Sequence, residues 1–193
     1  MIVTIDGPAG VGKSTVARRI AEALGVRYVD TGSMYRELTA VALERNTDLD
    51  DQASLAALVG VAPRTDSDLR AERISAAVSA VSRHPLVRER MRALQRSLAG
   101  DAAVLEGRDT GTHVRPDAAL KIYLTAPVAV RAARRARDLG LPVDEVERTI
   151  VQRDQRDAAQ MPPADDAHVI DTGELDADHV TARILELVRE AAA

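Results

Sequence analysis

The spacing of hydrophobic residues changes period several times along this chain, and the changes divide it into alternating strands and helices. Ile2, Val3 and Ile5 form a short apolar, β-branched run suited to a buried strand. Val16, Ile20 and Leu24 then recur every fourth residue with Ala17 and Ala21 beside them. That is the buried face of a helix from Lys13 to Leu24, ended by Gly25. Val26 to Val29 reads as a second strand, and helical spacing resumes through Leu38, Val41 and Ala42. From Asn46 to Asp68 the sequence turns polar and alanine-rich, with a short helix expected from Leu55 to Val59. Pro63 and the cluster Thr65 to Asp68 mark a loop. Two helices are expected next, from Glu72 to Val81 and from Pro85 to Leu98. In the second, Val87, Met91, Leu94 and Leu98 make an apolar stripe, with Arg88, Arg92 and Gln95 in a polar stripe beside it.

The second half repeats the alternation. Ala102 to Glu106 and Leu120 to Leu124 read as buried strands. Two arginine-rich helices follow on either side of Leu139 to Pro142, one with Arg131, Arg134, Arg135 and Arg137, the other with Arg148, Arg153 and Arg156. Val169 to Asp171 is a fifth strand, and Val180, Ile184, Leu187 and Val188 define a closing amphipathic helix. Strands alternating with helices predict an α/β fold: a parallel sheet with helices on both faces. Ligands of such folds bind at the carboxyl ends of the strands. Asp30-Thr31, Gly107-Arg108-Asp109 and Asp171 all fall on that rim, as does the turn after the first strand.

Composition narrows the picture. A chain of 193 residues suits one domain with a proper core, and that core must be aliphatic because Phe and Trp are absent. A net charge of −4 provides no global attraction for a nucleic-acid polymer, so the arginines must act locally. The absence of cysteine excludes disulfides and thiolate metal sites, and the four histidines have no metal-ligand spacing. Strand-forming sequence begins at once, which argues against a secretory leader, and no apolar run reaches the ~18 residues of a membrane span. The expectation is a cytoplasmic protein, with a monomer as the default.

The turn after the first strand carries the chemistry. Gly7-Pro8-Ala9-Gly10-Val11-Gly12-Lys13-Ser14-Thr15 fits G-x-x-x-x-G-K-[ST] in its required setting between a strand and a helix. Its glycines let backbone N–H groups close around an anion, and the helix that follows points its positive end at the same spot. Lys13 supplies a point charge for the β- and γ-phosphates, and the Ser14 hydroxyl is a ligand for Mg²⁺. Phosphoryl transfer between two phosphate-bearing molecules needs further cations. Arg36, Arg88, Arg108, Arg131, Arg135, Arg153 and Arg156 are the candidates, because arginine binds phosphate bidentately. Arg134 and Arg137 read as solvated. The helices from about Pro127 to Asp157 suggest a lid.

These motifs, in this order, resemble the bacterial cytidylate kinase family: GPAGVGKST, DTGSMYR, the segment Ser79 to Gln95, VLEGRDTGTHVRPDAALKIYLTA, QRDQRD and ADDAHVIDTG. The resemblance implies a nucleoside-monophosphate kinase: a P-loop three-layer sandwich on a five-stranded parallel sheet, with a shortened monophosphate-binding region and a helical lid. The core would take about 1–35, 100–127 and 165–193, the monophosphate-binding region about 36–99 and the lid about 128–164. The implied reaction passes a phosphoryl group from ATP to CMP or dCMP, with Mg²⁺. Carried over by position, Ser79, Arg88 and Asp109 would meet the cytosine ring, and Arg36, Arg108 and Arg153 the monophosphate. Thr31 and Asp157 would lie near the sugar, and Arg131 and Arg135 on the ATP side. An Asp109 carboxylate accepts from cytosine's amino group and would oppose the carbonyl that uracil carries there.

Departures from the family pattern are local. Gln160 stands where the family places a lid arginine, and about four residues are missing nearby by motif spacing. The family's G-T-x-V-F-P appears here as Gly111-Thr112-His113-Val114-Arg115-Pro116, with Arg115 in place of the Phe, and the stretch from Val59 to Arg70 is short. Two other readings stay open on the residues alone. One is a small P-loop kinase for another acceptor, such as a different monophosphate or shikimate. The other is a nucleotide-binding protein without transfer, although the guanine-reading N-K-x-D of a GTPase is missing.

Overall fold

In the computed structural model, residues 1–63, 69, 71–158 and 162–192 are described, the side chain of Asp157 excepted. The first strand, β1 (Ile2–Asp6), is buried along its whole length, as a run without polar alternation requires in a sheet covered on both faces. It pairs in parallel with β3 (Ala103–Gly107) on one side and with β4 (Leu120–Thr125) on the other. With β2 (Arg27–Asp30) and β5 (His168–Asp171) outside them, the sheet order is β2-β3-β1-β4-β5. Parallel register puts Asp6 level with Gly107 and Tyr123, so one rim collects the ends of three strands.

The chain divides into two units, one of Met1–Val29 with Asp101–Ala193 and one of Asp30–Gly100. In the first, helices α1 (Lys13–Leu24) and α8 (Ala177–Ala192) bury Val16, Ile20, Val180 and Ile184 against Val3, Ile5, Val104, Ile122 and Leu124. Two further helices, α6 (Val128–Leu139) and α7 (Val143–Asp157), share a small core of Ala132, Ala136, Val146 and Ile150. Two glycines of the turn after β1 are required by packing as much as by curvature. A Cβ on Gly7, at φ +147°, would stand 2.2 Å from the Leu124 carbonyl oxygen, and one on Gly10, at φ +78°, 2.9 Å from that of Arg131.

The second unit holds α2 (Thr31–Glu44), α3 (Gln52–Ala57), α4 (Glu72–Ser82) and α5 (Pro85–Ala99) around Leu38, Val41, Leu55, Val81, Val87 and Met91. Helix α2 begins directly at Thr31, because the Asp30 carboxylate caps it by accepting from Ser33 N–H at 2.8 Å. Asp51 likewise starts α3 three residues before the expected Leu55. The expected stripe of α5 needs correction. Its buried face runs Val87, Met91, Gln95, Ala99, with Gln95 only 1% exposed, whereas Leu98 is 42% exposed. A strict four-residue spacing continues from Met91 through Gln95, and the amide follows the geometry although its polarity suggests the opposite face. The Thr65–Asp68 cluster and Gln160 lie outside the described residues.

Gly7→Ala should destabilise the protein by about 2 kcal/mol or more in urea unfolding, since the methyl meets backbone that cannot rotate away. Wild-type stability of this variant would show that β4 yields at Leu124.

Candidate active site

The loop Gly7–Gly12 joins β1 to α1, and Gly12, the residue just before the helix, is left-handed and offers no side-chain cap, so the first N–H groups of the helix are left for an anion. The loop carbonyls are held by side-chain donors. Lys13 Nζ donates to the Pro8 oxygen at 2.8 Å, Arg131 Nη1 to Ala9 at 3.1 Å, and Thr172 Oγ1 to Val11 at 3.2 Å. In a trans peptide the carbonyl and the next N–H point opposite ways. Each anchored oxygen therefore fixes an amide hydrogen of Ala9, Gly10 or Gly12.

Charge gathers at Lys13. Desolvation, and after it the Arg108 guanidinium, pulls its pKa down from the usual lysine range to about 7; Arg153 acts in the same direction, and the Glu106 and Asp6 carboxylates oppose them. Lys13, Arg108 and Arg153, three of the residues singled out in the sequence, thus share one electrostatic neighbourhood. The neighbouring carboxylates have structural partners. Glu106 accepts from the Tyr28 hydroxyl, whose ring lies under Arg18. Buried Asp6 accepts from the Thr110 N–H at 3.0 Å, the Thr110 hydroxyl at 2.7 Å and the Gly111 N–H at 2.8 Å. Burial raises the Asp6 pKa against those hydrogen bonds.

Asp6 thereby pins a single π-helical turn, Thr110–Val114, that follows directly on Arg108 and Asp109. No periodicity predicted this turn. The Asp109 carbonyl accepts from His113 N–H at 2.9 Å, and its carboxylate lies 3.4 Å from His113 Nδ1. The loop after β5 is held by Arg134, which donates to the Thr172 hydroxyl at 3.1 Å and to the carbonyls of Thr172 at 2.6 Å and Leu175 at 3.2 Å. The reading of Arg134 as a solvated residue is corrected, because a guanidinium one turn from Arg131 reaches oxygens that β5 brings from far along the chain. Arg131 itself is 4% exposed and paired with Asp154, while Arg135 is half-buried on the same helix.

The unit Asp30–Gly100 carries the other candidates. Thr31 is buried in the first turn of α2, where the Arg36 guanidinium passes close to Gly32. Arg88 on α5 donates to the Ser82 carbonyl at 3.5 Å, one turn of α4 beyond Ser79. The sequence reading missed Asp6, Glu106, Asp154 and Thr172. A carboxylate ending a buried strand was the available signal for the first two.

The Ser14 hydroxyl, in the first turn of α1 beside Lys13, is a hard oxygen donor of the kind Mg²⁺ on phosphate takes, and the Glu106 and Asp6 charges reach the same lysine. No group of three or more His, Cys, Asp or Glu among the described residues could hold a metal by itself. Lys13 yields a signed pH dependence. With its folded pKa near 7 and an unfolded value near 10.5, the unfolded chain binds more protons between them, so stability rises with pH across that window. A polyphosphate bound at Lys13 would restore the charge. Titration calorimetry with tripolyphosphate at pH 8, in buffers of different ionisation enthalpy, should register proton uptake that Lys13→Gln removes; no uptake by the wild type would mean that Lys13 is already charged.

The family model for cytidylate kinase matches residues 3–190. A cytidylate kinase of Geobacillus kaustophilus is 42% identical, over 97% of this chain and 96% of its own. One of Corynebacterium glutamicum is 40% identical, over 100% of this chain and 96% of its own. The first alignment spans 215 positions against 193 residues here, so that relative carries residues this chain lacks. Among solved structures, a shikimate kinase of Bacteroides thetaiotaomicron superposes with a TM-score of 0.56 at 16% identity, over 98% of each chain, which establishes the shared α/β fold of P-loop kinases. From the strand-borne phosphate loop to these full-length matches, the chain belongs to the cytidylate kinase family.

Proposed function

We propose that this chain transfers the γ-phosphoryl group of ATP to CMP and dCMP, giving ADP with CDP or dCDP. The observation that carries the reading is the meeting of Lys13, Arg108 and Arg153 at a loop of anchored amides, within a chain whose relatives are cytidylate kinases. A buried lysine whose charge is disfavoured by two neighbouring guanidinium groups forms a site that a polyanion would relieve. The amides of Gly7–Gly12 and Lys13 would take the donor phosphates, with Arg135 on the same side. Arg36, Arg108 and Arg153 would hold the acceptor phosphate in line. Mg²⁺, when bound at Ser14, would neutralise charge on the transferred group.

Base choice would rest on Asp109, Arg88 and Ser79. The His113 N–H and the Thr112 hydroxyl both donate to the Asp109 carbonyl, and Asp6 pins the turn behind it, so the backbone that would carry this carboxylate to the cytosine amino group is held in place. Thr31 and Asp157 would meet the sugar. No residue need act as general base, since positioning and charge neutralisation carry this chemistry. In this reading Asp30–Gly100 binds the acceptor, and α6 with α7 closes over the phosphates and keeps water out. A single chain supplies both donor and acceptor groups, which is why we take a monomer in the cytoplasm as the working unit. Among the described residues no helix is long and apolar enough to cross a membrane.

An ADP-release assay with ATP, Mg²⁺ and separate acceptors tests the reading. CMP and dCMP should exceed UMP, AMP and shikimate by about a hundredfold or more in kcat/KM, the scale on which a mispaired polar edge is rejected. Comparable use of UMP would remove the cytosine contacts, and turnover independent of every acceptor would remove the kinase. Asp109→Ala should lower kcat/KM for CMP by at least about a hundredfold and leave ATP binding within threefold; equal loss of both would place Asp109 elsewhere.

A further inference from the structure

Arg131, which the family resemblance puts on the ATP side, has every nitrogen of its fork engaged by protein. Nε donates to the Ala126 carbonyl at 3.0 Å, Nη1 to Ala9 at 3.1 Å, and Nη2 pairs with Asp154 Oδ2 at 2.7 Å. Its backbone presses on the same loop, for the Arg131 carbonyl oxygen and Cβ lie 2.9 and 3.2 Å from where a Gly10 side chain would begin. Asp154 has few alternatives: its other oxygen, Oδ1, is buried with no hydrogen-bond partner among the described residues. The residue before Asp154 is Arg153, whose charge is felt at Lys13.

We propose that Arg131 is a positioning residue rather than a ligand of the phosphoryl donor. Through the Ala9 oxygen it sets the Ala9–Gly10 peptide plane, so that the Gly10 N–H faces into the loop. Through Asp154 it sets where α7 presents Arg153. One buried guanidinium thus fixes the loop that takes one substrate and the arginine that meets the other. The three acceptors lie on the loop, at the end of β4 and on α7, and only a rigid planar fork reaches them together; an ammonium on a flexible stem does not. The kinetic consequences rest on the kinase reading above, whereas the positional ones do not.

Two measurements separate these. Amide hydrogen exchange on the nucleotide-free protein, with Asp154→Asn and Arg131→Met, should show at least tenfold faster exchange in peptides covering Gly7–Lys13 and in α7, with α8 unchanged. Unaltered exchange at the loop in both variants would overturn the proposal whatever the enzyme does. Asp154→Asn keeps the shape of a side chain that is only partly buried, so it remains informative if Arg131→Met does not fold. In steady state, each variant should lose about tenfold or more in kcat/KM for CMP while the KM for ATP moves less than threefold. Because both break one linkage, the double variant should fall no more than about threefold below the worse single, and Arg131→Lys should not rescue. Normal kinetics in Asp154→Asn beside a tenfold higher ATP KM in Arg131→Met would make Arg131 a direct ligand and overturn the proposal. Absence of acceptor-dependent turnover in the wild type would instead count against the kinase reading, and the exchange data would then decide the role of Arg131 alone.

Discussion

A glycine-rich turn gathers amide hydrogens around an anion only if its carbonyl oxygens are held elsewhere, because each peptide plane points its two polar groups in opposite directions. That constraint governs this molecule. Lys13, Arg131 and Thr172 take the oxygens of Pro8, Ala9 and Val11, and they come from α1, from α6 and from the loop after β5. The sheet brings those elements to one rim, and Gly7 and Gly10 admit backbone from β4 and α6 where any side chain would collide. The phosphate loop is therefore an arrangement of several distant segments, although a short motif marks it in the sequence.

The second constraint is electrostatic. Crowding Lys13, Arg108 and Arg153 costs free energy, and the molecule tempers it with buried carboxylates whose hydrogen bonds do other work. Glu106 fastens Tyr28 at the edge of the sheet, and Asp6 fastens the turn behind Asp109. The same acids that moderate the cations thus build the walls around them.

The fold was legible because its signals are local: runs of β-branched residues, four-residue helical spacing, and the loop motif with the lysine and serine it carries. The set Lys13, Arg108 and Arg153 was legible for the same reason, each lying in a recognisable short motif. Gln95 was misjudged because side-chain polarity was allowed to outweigh spacing. Arg134 and the anchoring contacts of Arg131 were illegible for a deeper reason. A carbonyl acceptor carries no residue type, so an arginine that binds oxygens remote in sequence looks like one that binds water. The π-helical turn escaped likewise, since it depends on a carboxylate more than a hundred residues earlier.

One topological fact bears on how such a chain varies. β2 and β3 are neighbours in the sheet, and residues 31–102 are the connection between them. A crossover of this kind needs only about a dozen residues to regain the start of the next parallel strand. Everything beyond that minimum is free of the sheet's register, so its length can drift between descendants of one ancestor while the strands on either side keep their pairing. Closure entropy rises only logarithmically with such growth, and the economical chain and the elaborated one bear nearly the same thermodynamic burden.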